Sequence, residues 1–260
     1  MPEGPSLVIL RENIASLTGL KVREVSGNSK QDLQRLRGRT LRAIRTWGKH
    51  LLLDFGDDLA VRIHLLLFGS YRIDEEKEGK VPRLALSFTK KRRLNFYACS
   101  VRFIETPLDD VYDWSADVMS DHWDPKAARG KLKSMPDAIV ADVLLDQDIF
   151  AGVGNIIKNE VLHRIRLHPE TPVGALPSRK LTELITQARQ YSFDFYEWKK
   201  QFVLRKHWQV HAKKTCPRDG TPLSYRQYLG KAQRRAFWCD ACQRRYGNVP
   251  ATPATPLRRR

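Results

Sequence analysis

The sequence predicts an α+β protein of two domains: an N-terminal β-sandwich with one helix attached, and a C-terminal helical domain that carries a β-hairpin. Of the 260 residues 42% are hydrophobic, which suffices for two cores. Apolar and polar residues alternate from Lys21 to about Ile104, as they do in strands, whereas helical spacing dominates beyond residue 138. Three of the four cysteines lie close to the C-terminus, where short strand-like pieces return.

The first domain begins with a helix, because apolar Leu7, Leu10 and Ile14 recur at helical spacing after Pro5. Gly19 follows as a stop signal, so the predicted helix spans 5–18. Alternating apolar residues between turn-forming glycines and aspartates then predict six strands, at 41–44, 51–55, 61–65, 71–73, 84–88 and 101–103.

A polar stretch at 109–129, interrupted by Pro125, predicts the connection between the domains. We place the sandwich at 1–120, a linker at 121–130, the helical domain at 131–207, the hairpin at 208–246 and a disordered basic tail at 247–260. Helical periodicity predicts helices at 138–146, 155–164 and about 178–202.

The charge balance indicates a polyanionic partner. Lys and Arg number 46 against 29 Asp and Glu, which gives a formal net charge of +17. Nucleic acid is the first candidate for such a partner. No apolar run approaches the ~18 residues of a membrane span, and the start lacks the basic and apolar regions of a signal peptide. We therefore expect a cytoplasmic protein that contacts no membrane and lies on the nucleoid if the source is bacterial.

Pro2 is a candidate nucleophile. Met before a small residue is usually removed, which would leave a secondary amine beside Glu3. An α-amino group titrates near ~8 and Lys near ~10.4, so much more of the terminal amine is unprotonated at neutral pH. Such an amine can attack a sugar C1′ to form an iminium, while Glu3 moves protons to and from the sugar. Alternatively, Pro2 merely follows the initiator Met.

The start Met1-Pro2-Glu3-Gly4-Pro5 resembles that of the formamidopyrimidine-DNA glycosylase and endonuclease VIII family, and is closer to the endonuclease VIII branch. The resemblance implies a bifunctional DNA glycosylase and apurinic/apyrimidinic lyase of base-excision repair. Such an enzyme removes oxidised bases, here pyrimidines in preference to purines, through a Schiff base on Pro2 and cuts the strand by β,δ-elimination. It implies as partner double-stranded DNA with an oxidised base or abasic site, bound by a monomer.

Two further segments resemble the family. Residues 38–53 are similar to a hairpin whose Lys contacts the phosphate next to the lesion, and Lys49 is the match. Residues 64–72 resemble the loop that inserts an apolar side chain into the gap left by the extruded nucleotide. Leu67 occupies that position, with Leu66 and Phe68 as alternatives.

The segment 144–160 resembles the helix-two-turn-helix element of the family. Gly152 and Gly154 permit a tight turn whose backbone N–H groups point outward at a helix start, which makes an anion site. Asn155 adds a side-chain donor for the same phosphates.

The cysteines predict one structural Zn²⁺ with no open position. Cys239 and Cys242 form one knuckle, and Cys216 begins a second knuckle in which Asp219 stands where the family has Cys. We predict His211 as fourth ligand, because three Cys with one His is the commoner set; Asp219, or packing without metal, remains open. Between the knuckles the resemblance assigns a phosphate-gripping role to Arg234, with Arg235 as alternative.

Two other functions remain open. A non-catalytic DNA-binding paralogue that recognises distorted DNA would use every phosphate contact named above, and only Pro2 and Glu3 distinguish it from the enzyme. An RNA-binding role is weaker, because it rests only on the ability of similar helix-turn elements to bind structured RNA.

Overall fold

The computed structural model describes residues 2–247 and the backbone of 255–256. The chain divides into two compact units, Met1–Trp114 and Ser115–Arg260. The division lies six residues before the predicted boundary at 120. The physical reason is that the segment after Trp114 bonds into the second unit, where the backbone N–H of Val118 donates to Ala151 O at 3.1 Å.

The first unit is the predicted β-sandwich with helix α1 attached, and a second, four-residue helix, α2, lies near the end of the unit. Two four-stranded antiparallel sheets, in the orders β1-β6-β7-β5 and β2-β3-β4-β8, share one apolar core. The elements are α1 Gly4–Asn13, β1 Val22–Ser26, β2 Ala43–Trp47, β3 His50–Asp54, β4 Ala60–His64, β5 Ser70–Ile73, β6 Leu84–Phe88, β7 Arg93–Tyr97, β8 Ser100–Ile104 and α2 Leu108–Val111.

Helix α1 is shorter than predicted, since it ends at Asn13 and a 3-10 turn, Ala15–Leu17, completes the segment. Leu7, Leu10 and Ile14 are fully buried, as their spacing predicts. The sequence reasoning missed two strands, β1 and β7. The first has only two buried positions among five, and the second carries a buried Asn95 whose side chain donates to Glu75 O at 2.7 Å.

The second unit packs its helices and a β-hairpin around a large apolar core, and a smaller apolar cluster surrounds Cys216 and Cys239. Within the predicted helix at 138–146 only four residues, Val140–Val143, are helical, and a second short helix, Gln147–Phe150, begins beyond that range, whereas 155–164 is helical as predicted. The elements are α3 Pro125–Lys133, α4 Val140–Val143, α5 Gln147–Phe150, α6 Asn155–Arg164, α7 Ser178–Lys200, β9 Ser224–Leu229, β10 Arg234–Trp238 and β11 Thr255–Pro256.

The predicted linker at 121–130 is wrong, because most of it belongs to α3. Pro125 begins this helix, where its missing N–H costs nothing, and Asp124 accepts a hydrogen bond from the backbone N–H of Lys126 at 2.7 Å. The hairpin is not a separate body either, since Trp238 lies in the same core as the helices. The predicted tail lies outside the described residues except for Gly247 and β11, which pairs with β9.

Among the residues that the structure describes, no helix has the length and apolar character needed to cross a membrane.

Candidate functional site

The start of α1 places the predicted nucleophile and its proton carrier side by side. Glu3 has extended backbone geometry and precedes the helix, whose first turn contains Pro5. The Glu3 carbonyl accepts the backbone N–H of Ser6 at 2.8 Å. Pro2 is partly exposed, whereas Glu3 is only 1% exposed. A carboxyl group held out of bulk water can exchange protons with a bound substrate rather than with solvent.

Lys49 lies at the tip of the hairpin that joins β2 to β3. The turn has two residues, Gly48 and Lys49, between the paired Trp47 and His50. Gly48 has φ +54°, which suits glycine at the first position of such a turn. Helix α1 packs against both strands of this hairpin. The sheet therefore holds Lys49 at a fixed turn.

A histidine cluster beside Lys49 was missed by the sequence reasoning. His50 pairs across the sheet with His64, and their rings meet edge to face at 5.4 Å. The buried Tyr112 hydroxyl lies 3.4 Å from His50 Nδ1. Burial lowers the pKa of His50 to about 3, with Arg62 adding to the effect, and burial likewise lowers the pKa of His64. Both rings are therefore neutral near pH 7. The detectable signal was in β4, where Arg62 and His64 stand two positions apart in an otherwise apolar strand.

The loop between β4 and β5 exposes three consecutive apolar side chains. Leu66, Leu67 and Phe68 are 45%, 54% and 81% exposed. The loop is closed by a hydrogen bond from the Gly69 N–H to Leu65 O at 2.7 Å. Leu66 has φ +50°, a conformation that is strained for a bulky residue. The fold thus exposes the apolar tip of this loop to solvent, and the tip does not pack into the core of the unit.

The turn before α6 is built as the glycines predict. Gly152 has φ +98°, and Gly154 is the N-cap residue before Asn155, the first residue of α6. Gln147 fixes the turn: its side chain accepts the Gly152 N–H at 3.1 Å and donates to Val153 O at 3.2 Å. Backbone N–H groups at a helix start point along the helix axis and attract anions. Asn155 is partly exposed at that start.

The β9–β10 hairpin presents the two predicted arginines. Arg234 begins β10 and is partly buried, while Arg235 is exposed and lies at an irregularity in the pairing between Arg234 and Ala236. The turn is tied to α4 by Asp142, whose carboxylate accepts the backbone N–H groups of Lys231 at 2.8 Å and Ala232 at 3.1 Å.

Three cysteines and one aspartate converge at the base of this hairpin. One ligand atom each from Cys216, Asp219, Cys239 and Cys242 lies within 4.8 Å of all the others. The Sγ atoms of Cys216 and Cys242 are 3.8 Å apart. A tetrahedral metal ion with bonds of about 2.3 Å to sulfur would separate its ligands by about 3.8 Å, so the residues fit such an ion.

The aspartate and the thiols of this group differ in protonation. Hydrogen bonds from Thr221 lower the pKa of Asp219 below its usual range, so a carboxylate is present. Burial raises the pKa of Cys242 to about 12 and raises that of Cys216, so a bound cation would have to displace thiol protons.

His211 is not part of this group, and the prediction that it is the fourth ligand is wrong. Its Nδ1 lies 3.1 Å from the Asn159 Nδ2, and its ring packs against Trp208 and Phe237. The backbone of 209–211 is held there because the buried Glu160 carboxylate accepts its three N–H groups at 2.8, 3.0 and 2.7 Å. Asp219 is the fourth member of the group instead, and it keeps the spacing that a second knuckle cysteine would have.

The chain matches two models of one family. The model of the formamidopyrimidine-DNA glycosylase N-terminal domain matches residues 1–100, and that of the formamidopyrimidine-DNA glycosylase H2TH domain matches residues 115–191. Together they span more than half of the chain. The chain belongs to the formamidopyrimidine-DNA glycosylase and endonuclease VIII family.

Relatives within this family include Endonuclease 8-like 3 of Xenopus laevis, 31% identical over 84% of this chain and 37% of that protein. Endonuclease 8 2 of Mycobacterium bovis is 28% identical over 94% of this chain and all of that protein. The chain spans little more than a third of the Endonuclease 8-like 3 proteins it matches. A structure of Lactococcus lactis formamido-pyrimidine DNA glycosylase bound non-covalently to DNA with an AP site has TM-score 0.80 and 23% identity, covering 94% of this chain and 100% of that one.

The family assignment confirms the resemblance and the predicted fold. Both matched ranges contain predicted site residues: Pro2, Glu3, Lys49 and Leu67 lie in the first, Gly154 and Asn155 in the second. The hairpin with Arg234, Arg235 and the metal-ligand group lies beyond residue 191, so its roles rest on its own geometry.

Proposed function

We propose that this chain is a bifunctional DNA glycosylase and apurinic/apyrimidinic lyase that excises oxidised bases from double-stranded DNA. The observation that carries the proposal is the Pro2–Glu3 pair at the start of α1. Pro2 is partly exposed, and Glu3 beside it is 1% exposed. Removal of Met1 is part of the proposal, since it frees the imino group. Membership of the family supports it.

The chemistry follows from a secondary amine. The Pro2 nitrogen attacks C1′ of the damaged nucleotide, and the base departs with the electrons of the C1′–N bond and takes up the proton that the Pro2 nitrogen loses. The lone pair of that nitrogen then forms the iminium as the C1′–O4′ bond breaks and leaves its electrons on the ring oxygen. Glu3 donates a proton to that ring oxygen. The resulting iminium withdraws electrons, so C2′ loses a proton and the 3′ phosphate leaves; a second elimination releases the 5′ phosphate. Water then hydrolyses the iminium and restores the amine.

The apolar loop supplies the wedge in this scheme. A nucleotide that swings out of the base stack leaves an apolar gap. An apolar side chain that is exposed in the free protein gives up few contacts when it fills that gap. We assign the gap to the tip formed by Leu66, Leu67 and Phe68, with Leu67 at its centre. Their exposure, 45–81%, supports this role.

The polar groups hold the backbone. Lys49 at its hairpin tip takes the phosphate beside the lesion, the Asn155 amide with the N–H groups at the start of α6 takes a second, and Arg234 with Arg235 grips a third. The excess of basic residues, 46 Lys and Arg against 29 Asp and Glu, favours encounter with DNA. We propose that the protein acts as a monomer.

The cysteine group would hold one Zn²⁺ through Cys216, Asp219, Cys239 and Cys242. All four places of a tetrahedral ion are then filled, so the metal supplies structure to the base of the hairpin and no chemistry.

Oxidised pyrimidines are the proposed substrates. The segment 106–109 lacks the Arg-x-Phe wedge loop of the formamidopyrimidine branch, and helix α2 begins at Leu108, directly after Pro107. The Glu3-Gly4-Pro5 start also resembles the endonuclease VIII branch.

Borohydride trapping tests the proposal. Full-length protein is incubated with duplexes carrying dihydrouracil, thymine glycol, 8-oxoguanine or an abasic site, and the cross-link is mapped by peptide mass analysis. We expect cross-linking through Pro2, most with the pyrimidine lesions and the abasic site, and none with undamaged duplex. Intact mass measures the loss of Met1.

Two variants separate the enzyme from a binding protein. Glu3→Gln should abolish base excision with little loss of duplex affinity, while Glu24→Gln, on an exposed strand position, should leave both unchanged. Duplex binding by wild-type protein without any trapping would replace the enzyme with the non-catalytic paralogue.

A further inference from the structure

Lys158 is a buried lysine that the proposed function does not use. It lies one turn after Asn155 on α6 and is 1% exposed. A buried ammonium is costly unless it is well hydrogen-bonded. Its Nζ donates to Asn155 Oδ1 at 2.9 Å and to Arg235 O at 2.8 Å. One side chain thus contacts both elements to which we assign phosphate binding in this unit.

The first of these bonds fixes the orientation of the Asn155 amide. An ammonium group has three donors and no acceptor, so it can bond only to the amide oxygen. The NH₂ of Asn155 is then directed away from Lys158. That NH₂ is the half of the amide that a phosphate oxygen needs. Without the lysine, the amide could rotate and present its oxygen, which repels phosphate.

The second bond fixes the arginine strand. Arg235 lies where the β9–β10 pairing is irregular, so its carbonyl is not held by a regular ladder. The bond from Lys158 to this carbonyl ties the backbone between Arg234 and Ala236 to α6. The same ammonium group therefore sets the distance between the Asn155 donor and the arginine pair.

We propose that Lys158 is a positioning residue that locks the Asn155 amide and the Arg234–Arg235 strand into one phosphate-binding unit. The inference rests on the proposed function in that the anion is DNA phosphate. Lys158 itself is too buried to touch DNA, so it acts through Asn155 and the hairpin backbone.

A double-mutant cycle tests the inference by duplex binding. The probe is a duplex with a tetrahydrofuran abasic analogue, which the protein cannot cleave. Lys158→Met should weaken binding by about tenfold or more, the factor that accompanies loss of a charge-assisted contact. In an Asn155→Ala background, the same change should cost clearly less, because one partner is already gone. Lys158→Arg should restore most of the affinity.

The control is Lys133→Met, which removes one exposed charge on α3 and should change affinity less than threefold. In trapping assays at saturating abasic duplex, Lys158→Met should keep most of the wild-type rate while its KM rises. Equal costs of Lys158→Met in the wild-type and Asn155→Ala backgrounds, or wild-type affinity of Lys158→Met, would overturn the inference.

Asn155→Asp covers the case in which Lys158→Met fails to fold. It keeps an acceptor for Lys158 but offers no donor outward, so we expect a wild-type melting temperature with a binding loss as large as that of Asn155→Ala. Wild-type affinity of Asn155→Asp would overturn the inference too. Failure of wild-type protein to trap would instead count against the proposed chemistry, which these binding measurements do not require.

Discussion

Gly69 illustrates how a single missing side chain shapes the apolar loop. Its N–H closes the loop onto Leu65 O at 2.7 Å, and a Cβ at this position would lie 1.9 Å from the same oxygen. No atom pair tolerates that distance, and the obstacle is backbone rather than a flexible side chain. Any other residue at 69 must therefore open the loop that presents Leu66, Leu67 and Phe68.

We expect Gly69→Ala to lower base excision at least tenfold and to destabilise the fold by about 1–3 kcal/mol, the usual cost of forcing an added methyl group into a packed site. Gly130→Ala is the matched control. Gly130 lies within α3 with no atom within 4 Å of its Cβ position, so alanine should be neutral or slightly stabilising there. Single-turnover excision and urea unfolding measure both effects; full activity of Gly69→Ala would mean that the closed loop is not needed.

The metal ligands mark the limit of what the sequence could predict for single residues. Three cysteines, two of them with knuckle spacing, predict a metal site, but the choice between His211 and Asp219 as fourth ligand depends on how the chain folds before Cys216. Glu160 decides it, because its buried carboxylate holds the backbone of 209–211 against α6. Nothing in the local spacing announces a contact between residues about fifty positions apart.

Asp219→Ala should therefore lose most of its bound zinc, whereas His211→Ala should keep one equivalent. Asp219→Cys should bind zinc at least as tightly as wild-type protein, since a thiolate is a softer and commoner ligand for Zn²⁺. Elemental analysis of the purified proteins, with a competing chelator to rank affinity, measures this. Zinc loss in His211→Ala with retention in Asp219→Ala would reverse the ligand assignment.

At the scale of elements, α6 organises the second unit through three consecutive polar residues that are each 1% exposed. Lys158 bonds β10, Asn159 bonds His211 and the Phe237 N–H, and Glu160 bonds the segment before the first knuckle. The helix was predicted with correct bounds because its ends carry glycine and arginine signals. Its burial on all sides was not predicted, because Lys-Asn-Glu is typical of an exposed surface.

The β9–β10 turn is held by the Asp142 carboxylate, which also occupies the space where a side chain at Gly230 would lie. Gly230 has φ +64°, and a Cβ there would lie 2.2 Å from Asp142 Oδ1. Asp142→Ala should cost about 1–3 kcal/mol, because two backbone N–H groups lose their acceptor. Gly230→Ala should cost more in wild-type protein than in the Asp142→Ala background, since the collision is then relieved and only the backbone strain remains. Urea unfolding measures the four proteins, and additive costs would contradict the coupling.

For the whole molecule, the sequence predicted two units and the order of most elements, because apolar residues alternate clearly in β6 and recur at helical spacing in α7. It failed at the connection, where Pro125 was interpreted as a breaker although it starts α3 after the capping residue Asp124. A proline can either interrupt a helix or begin one. Here the packing of Ala128 and Leu132 into the core decides that it begins one. Local pattern thus predicts elements better than boundaries.

Buried histidines in both units make stability depend on pH. Burial, aided by nearby positive charge, lowers the pKa of His50 to about 3 and those of His168 and His211 to about 4. An unfolded histidine titrates near ~6.5, so between that pH and the lowered values the unfolded chain binds protons that the folded chain does not. The free energy of unfolding that these neutral histidines contribute is therefore complete above pH ~6.5. It falls with decreasing pH, by up to about 1.4 kcal/mol per pH unit for each such histidine.

Urea unfolding midpoints at pH 7.5, 6 and 5 should fall in that order. His50→Gln should flatten the dependence and the exposed His122→Gln should not. A midpoint that stays constant or rises on acidification would show that these histidines are protonated in the folded protein.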